Sequence, residues 1–153
     1  QTCALPICSH SLGVTGNAVF GDGATDTLTG LTTLSVSGTT GIYTNTVTTT
    51  GTQTYTGAVT LSASTTLTTT SSAISFANTV DSSASSANSL TFGSGTGDVT
   101  FTGAVGGATN GGLGTITNIV GETLTFSGAV TATTIANYGT LLFNASSAKT
   151  IVN

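Results

Sequence analysis

Four stretches of the chain repeat one alternation of apolar and polar positions: TYTGAV, SFANTV, TFTGAV and TFSGAV. In each, an aromatic is followed at i+4 by valine: Tyr55 and Val59, Phe76 and Val80, Phe101 and Val105, Phe126 and Val130. Read as strands, positions i and i+4 point to the same face. Two positions before each aromatic stand Gln53, Ile74, Val99 and Leu124, apolar in three of the four copies. Between aromatic and valine stand Gly57, Asn78, Gly103 and Gly128, always small. The opposite face carries Thr54, Thr56, Thr60, Thr100, Thr102, Thr125 and Ser127. Branched and flat side chains of this kind pack well on a pleated surface, and Gly and Asn between the runs mark turns. Hardly any window has the spacing of an amphipathic helix. The pattern predicts an almost entirely β protein with one apolar and one hydroxylated face per strand.

The copies are periodic. The aromatics recur at steps of 21, 25 and 25 along the chain, and a second series, Leu67, Leu90, Ile116 and Leu141, at steps of 23, 26 and 25. Two markers sharing one period indicate stacked repeats, none of which buries its apolar face alone. A repeat of about 21–26 residues is too short for a propeller blade, which needs about 40–45. It suits one coil of a parallel β-helix (β-solenoid), with Tyr55, Phe76, Phe101 and Phe126 stacked inside as a ladder of rings. The alternative is a β-sandwich, which explains alternation and turns but not two markers with one period. Residues 9–52 read as irregular first coils and 53–153 as regular coils of a fragment open at both ends. Tyr43 and Val47 repeat the aromatic–valine spacing, yet Tyr43 precedes Tyr55 by only half a period. Either a coil is shortened there or Tyr43 belongs to another strand of the same coil.

Composition narrows the function. Only 4% of residues are charged, so the surface is wetted by hydroxyls and amides; Thr alone is about a quarter of the chain. With no arginine and Lys149 as the single lysine, there is no basic patch to neutralise phosphates, which argues against a nucleic-acid partner. Apolar runs fall far short of the roughly 20 residues of a membrane-spanning helix, and no cationic segment precedes an apolar one as in a signal peptide.

The phrases VTTTGTQTYTGAVTL, TGDVTFTGAVGG and GETLTFSGAVTATTI resemble the β-strand repeats of filamentous-haemagglutinin-like and autotransporter-type bacterial adhesins, over roughly residues 14–153. That resemblance implies a right-handed parallel β-helix, exported by a type V route and displayed at the cell surface as a long stalk. It brings no catalytic motif, secretion domain or receptor-binding module onto this sequence.

The opening QTCALPIC holds both cysteines and the single proline. QTCALPI is also the in-frame translation of CAGACGTGTGCTCTTCCGATCT, which resembles the end of a short-read sequencing adapter. Residues 1–8 are therefore expected to be a non-native scar with no part in the fold. On that reading Cys3 and Cys8 say nothing about redox compartment, and without a histidine cluster they make a poor metal site.

Four motifs have chemical readings and blander ones. GDGATDTLTG, from Gly21 to Gly30, partly matches the calcium-binding nonapeptide of parallel β-rolls, with Asp26 and Leu28 in place but Asp22 and Ala24 where glycines belong. One such half-loop lacks the six or more oxygens calcium needs, so a polar turn is expected. His10 beside Ser9 and Ser11 lacks the oriented third member of a triad. Asp98 and Glu122, separated by nearly one repeat, are expected to stack on one edge as solubilising charges or edge guards; with Asp81 they give no facing pair for glycoside hydrolysis. Thr-x-Thr copies recur at 54–56, 66–68, 100–102, 115–117 and 123–125, but SFANTV breaks the series.

The expected role is a non-enzymatic stalk segment of a large secreted or surface-displayed bacterial adhesin, extracellular, with no cofactor, no metal and no catalytic or cofactor-binding residues. Its partners would be host or neighbouring-cell surfaces, reached through other parts of the parent protein. Nucleic acid and a membrane span are not expected, and open coil ends leave room for edge-to-edge self-association. The alternative is a small ice-binding or glycan-binding β-solenoid.

Overall fold

The computed structural model describes residues 10–83, 88–109 and 111–144; the opening octapeptide and Lys149 lie outside them. Within these residues the chain forms strands and no helix, and all strand pairs are parallel. A representative coil runs through β5 (Thr46–Thr49), β6 (Gln53–Tyr55) and β7 (Val59–Leu61). The next runs through β8 (Thr65–Thr68), β9 (Ile74–Phe76) and β10 (Val80–Ser82). Each strand pairs with its equivalent one coil on: Val47 with Leu67, Tyr55 with Phe76, Val59 with Val80. The protein is a β-solenoid of about six turns.

The earlier coils hold β1 (His10–Val14) and β2 (Ala18–Phe20), then β3 (Thr27–Val36) and β4 (Thr40–Ile42). The later ones hold β11 (Leu90–Phe92) and β12 (Val99–Phe101), β13 (Leu113–Asn118) and β14 (Thr123–Phe126), and finally β15 (Ala132–Asn137) and β16 (Thr140–Phe143). Three faces result. The first stacks β3, β5, β8, β11, β13 and β15; the second stacks β1, β3, β6, β9, β12, β14 and β16. The third stacks β2, β4, β7 and β10, and is continued by single bridges from Val80 to Val105 and from Val105 to Val130. Strand β3 serves two faces. Its first half pairs with β5 and its second with β6, with the register shifting between Leu28 and Leu31 next to Gly30 (φ 79°).

The aromatic–valine phrase turns out to be a corner, not a continuous strand. Tyr55 ends β6 on the second face and Val59 begins β7 on the third, and both side chains point inward. Thr56-Gly57-Ala58 between them bend the chain. The same corner recurs in every copy because its hydrogen bonds lock neighbouring coils together. The N–H groups of Thr56, Ala77, Thr102 and Ser127 donate to the carbonyls of Val36, Tyr55, Phe76 and Phe101. Those of Thr40, Val59, Val80 and Val105 donate to Ala58, Thr79, Ala104 and Ala129. Coils pair about 4.8 Å apart, so backbone packs against backbone at the glycine bends, and Asn78 is the one larger residue in the file. A β-carbon on Gly57, Gly103 or Gly128 would overlap the main chain of the coil before it, at Gly38, Asn78 and Gly103 respectively. The variable length of the repeat is absorbed at the other two corners. Residues 50–52, 69–73, 93–98, 119–122 and 138–139 join the first face to the second.

The interior is a single apolar cluster. Rings of Tyr55, Phe76, Phe101, Phe126 and Phe143 stack at 5.0, 4.7, 5.0 and 5.6 Å with interplanar angles of 7°, 4°, 11° and 18°. The ladder expected from the period is therefore present and one ring longer. Phe143 follows Phe126 after a shortened coil, because only Tyr138 and Gly139 separate β15 from β16. Upstream, the ladder position is held by Val36, which pairs with Tyr55. Tyr43 lies outside the ladder, 41% exposed after β4, with its N–H on Phe20 O. It follows β4, in the coil before the one that holds Tyr55, and lies in no strand.

The second marker series does not form one file. Leu90 pairs with Ile116, but Leu67 pairs with Phe92, and Leu141 pairs with Leu124 on the second face. A period counted along the chain does not distinguish faces when corner lengths vary.

Gln53, the polar exception in the apolar series, is fully buried. Its Oε1 accepts the Tyr55 hydroxyl (3.0 Å), and its Nε2 donates to Thr68 O (3.0 Å) and Val47 O (3.3 Å). Tyr55 is the one tyrosine of the ladder, so the two departures from the repeat account for each other: a buried phenol needs an acceptor. Burial pushes that phenol's pKa well above the usual range. Gln53→Leu is expected to cost about 1–3 kcal/mol by stranding the hydroxyl. Adding Tyr55→Phe should recover part of that loss, a coupling measurable as a double-mutant cycle in urea unfolding.

Candidate functional site: the corner at Glu122

The acids occupy three different environments. Asp26 staples its own turn: its Oδ2 accepts the N–H groups of Asp22 (2.9 Å) and Gly23 (3.1 Å), and those backbone bonds lower its pKa. Gly21, at φ 77°, lets the chain enter that turn. The calcium-like nonapeptide is thus a hydrogen-bonded polar turn, with its aspartate committed to backbone. Asp81 similarly accepts Ala108 N–H (3.0 Å) at an exposed loop. His10 is exposed at the start of β1, opposite Leu31. Among the described residues no three of His, Cys, Asp and Glu gather into a metal-binding group.

Asp98 and Glu122 do not stack on one edge as expected. Val99 pairs with Leu124, which puts Thr123 rather than Glu122 opposite Asp98, so the two acids fall one residue out of register. A one-residue offset in a strand exchanges its two faces. Asp98 lies outside, where its Oδ1 accepts Thr123 N–H (3.0 Å) across the coils. Glu122 lies inside, 2% exposed. It is not a solubilising charge.

Glu122 closes the turn Ile119-Val120-Gly121-Glu122, with Gly121 at φ 91° and Val120 on the outside. Its side chain folds back so that Oε2 accepts Ile119 N–H (3.3 Å). Burial, with the nearby Asp98 charge adding to it, pushes its pKa up to about 7 from 4.5, against the lowering effect of the Ile119 bond. The neighbouring Asn118 is fully buried at the end of β13. Its Nδ2 donates to Asn137 Oδ1 (2.7 Å) and to Thr140 O (3.1 Å), both in the following coil. Thr140 N–H donates to Glu122 O (2.8 Å), and Tyr138 N–H to Asn118 O (3.1 Å). Gly139 faces this cluster so closely that a β-carbon there would overlap the carbonyl oxygens of Ile119 and Glu122. The turn at Glu122 therefore holds the last described coil against the one before it.

Five buried side-chain oxygens of the described residues have no hydrogen-bond partner: Thr40 Oγ1, Thr44 Oγ1, Asn45 Oδ1, Asn118 Oδ1 and Glu122 Oε1. Two of the five share this corner, and one belongs to an ionisable group.

No family model matches this chain, and no curated protein and no solved structure matches it either. What the chain itself displays is an ordered hydroxylated exterior. On the second face, Ser35, Thr54, Ser75, Thr100 and Thr125 follow one another in strict register, ending at Leu142. On the first, Thr46, Thr66, Thr91 and Thr117 do the same. The Thr-x-Thr copies at 54–56, 100–102 and 123–125 thus belong to one face, and those at 66–68 and 115–117 to another. The buried Glu122 was not legible as such in the sequence, since the one-residue offset shows only once Val99 is known to pair with Leu124. The Asn118–Asn137 pair carried no periodic signal either, because it closes a coil shorter than its predecessors.

Proposed function

We propose that this segment is a non-catalytic structural stalk of a large secreted or surface-displayed bacterial adhesin, like the filamentous-haemagglutinin-type repeats its GAV phrases resemble. The observation that carries this reading is the unbroken parallel register of the second face from the second half of β3 to β16, with rings stacked beneath it from Tyr55 to Phe143. Each coil then adds a fixed rise of about 4.8 Å, the property a spacer needs. A sparsely charged hydroxylated surface gives such a rod hydrogen-bonding contact with water without a large electrostatic field. Contact with host or neighbouring-cell surfaces would belong to other parts of the parent protein.

The test is to lengthen the rod. A unit spanning 99–123 is one whole coil, since Val99 and Leu124 are in register. Ten extra copies in the native protein are expected to lengthen it by about 48 Å in negative-stain images, leaving cell-surface binding intact. Converting Thr54, Ser75, Thr100 and Thr125 to lysine should likewise leave binding intact. If those lysines abolish binding to ice or to glycans while the rod keeps its length, the hydroxylated face is a binding surface and the stalk reading fails.

A further inference from the structure

The corner at Glu122 lacks one donor. Both N–H bonds of the Asn118 amide are committed, to Asn137 Oδ1 and Thr140 O. Its orientation is thereby fixed, because a flipped amide would turn its oxygen onto two acceptors. Asn118 Oδ1 is left as a buried acceptor without a donor, and Glu122 Oε1 is another. An ionised Glu122 supplies no hydrogen and leaves a buried charge with one bond to backbone. Among the described residues there is no lysine or arginine to neutralise it. Among the described residues the charge that acts on it is Asp98, on the preceding coil, and it repels. The elements on the other side contribute Asn137, Gly139 and Thr140, none of which titrates near neutrality, and the exposed Tyr138. Two buried oxygens of one turn therefore share the lack of a donor.

We propose that Glu122 is held as a neutral carboxylic acid that donates from Oε1 to Asn118 Oδ1, making this corner a proton-operated latch between successive coils. With the proton in place, Asn118 is fixed to hold Asn137 and Thr140, and β15 and β16 stay docked on β13 and β14. When the proton leaves, the carboxylate faces an amide oxygen inside the wall, and the latch is strained toward water.

The sign of the pH dependence follows. A carboxyl whose folded pKa lies above its unfolded value binds more protons when folded, so stability falls as pH rises between the two values. The loss runs from about pH 4.5 to about pH 7 and then levels off. Over that range the folding equilibrium is expected to weaken by up to roughly a hundredfold. Glu122→Gln imitates the neutral acid, keeping an acceptor for Ile119 N–H and offering N–H to Asn118 Oδ1. Its stability should be flat across the same range.

Glu122 is the only glutamate in the chain, so glutamate labelled with carbon-13 at the carboxyl reports this group directly by NMR, and the Gln53 amide does not titrate. The expected midpoint lies near pH 7, and Asp98→Asn should move it down by removing the neighbouring charge. A midpoint at or below about pH 5 overturns the proposal, as does a Glu122→Gln protein whose stability still falls with pH. A midpoint that drops when calcium replaces sodium at constant ionic strength overturns it too, because a cation rather than a proton would then be filling the corner. The wild-type titration decides the matter even if the variant fails to fold.

Discussion

Phe101→Ala is expected to destabilise the protein by about 3–5 kcal/mol, the range for deleting a buried phenyl ring. Phe101 is fully buried and touches three other rings: Phe76 at 4.7 Å and Phe126 at 5.0 Å in parallel stacks, and Phe92 at 6.2 Å tilted by 60°. Aromatic pairs contribute about 0.5–1.5 kcal/mol each beyond the area they bury, which places this site at the upper end of the range. The coils on either side cannot close the hole, because their separation is set by backbone hydrogen bonds from Thr102 to Phe76 and from Ser127 to Phe101 (2.9 and 2.8 Å). A solenoid is held together by contacts between neighbouring coils, so a weak central coil should also divide its cooperativity. Urea unfolding is expected to pass from one transition to two. Phe143→Ala, at the partly exposed end of the ladder and stacked on Phe126 at the longer distance of 5.6 Å, should cost less than half as much. Equal losses at the two sites would show that the stack is not a cooperative element.

Gly103→Ala adds one carbon and is expected to cost about 3 kcal/mol or more, among the larger single-site effects. The new β-carbon would overlap the carbonyl group of Asn78 in the preceding coil, and Gly128 stands over Gly103 in the same way. Relief requires the coils to separate at the bend, stretching the bonds from Val80 N–H to Ala104 O (3.0 Å) and from Thr102 N–H to Phe76 O (2.9 Å). No positive φ is involved at Gly103; the requirement is purely for space. Asn78, the one larger residue in this file, is exposed and turns its amide back to accept Thr79 N–H (2.8 Å). Gly13→Ala is the control, since a β-carbon there meets nothing within 4 Å, and a change within about 0.5 kcal/mol is expected. Thermal melts of the two variants separate a steric role for glycine from a general loss of chain freedom.

The period of Tyr55, Phe76, Phe101 and Phe126 was enough to establish stacked coils and an interior ring ladder. Rings separated by a whole coil of chain, such as Tyr55 and Phe76 or Phe101 and Phe126, come to lie 5.0 Å apart once each coil closes. The same pattern was misread locally. An inward aromatic and an inward valine at i and i+4 are equally consistent with one straight strand and with two strands meeting at a corner, because both leave the two side chains facing inward. Gly57, Gly103 and Gly128 carried the distinguishing signal, as residues small enough for a backbone bend to stack on itself. The candidate site was less legible still. Glu122 reads in sequence as one more surface acid, and its spacing from Asp98 resembles a repeat.

The sequence by itself determined the secondary structure, the parallel stacking and the identity of the interior ladder, because these follow from local alternation and a repeated period. Only the tertiary structure decided register. It showed that Glu122 falls one position short of a full coil from Asp98, that Leu141 belongs to the second face and Ile116 to the first, and that Phe143 completes the ladder after a shortened coil. Register depends on corner length, and the corners at 119–122 and 138–139 are held by hydrogen bonds between residues of different coils. Such bonds leave no mark on the chain until it is wound, and a shift of a single residue is enough to carry a carboxyl from water into the core.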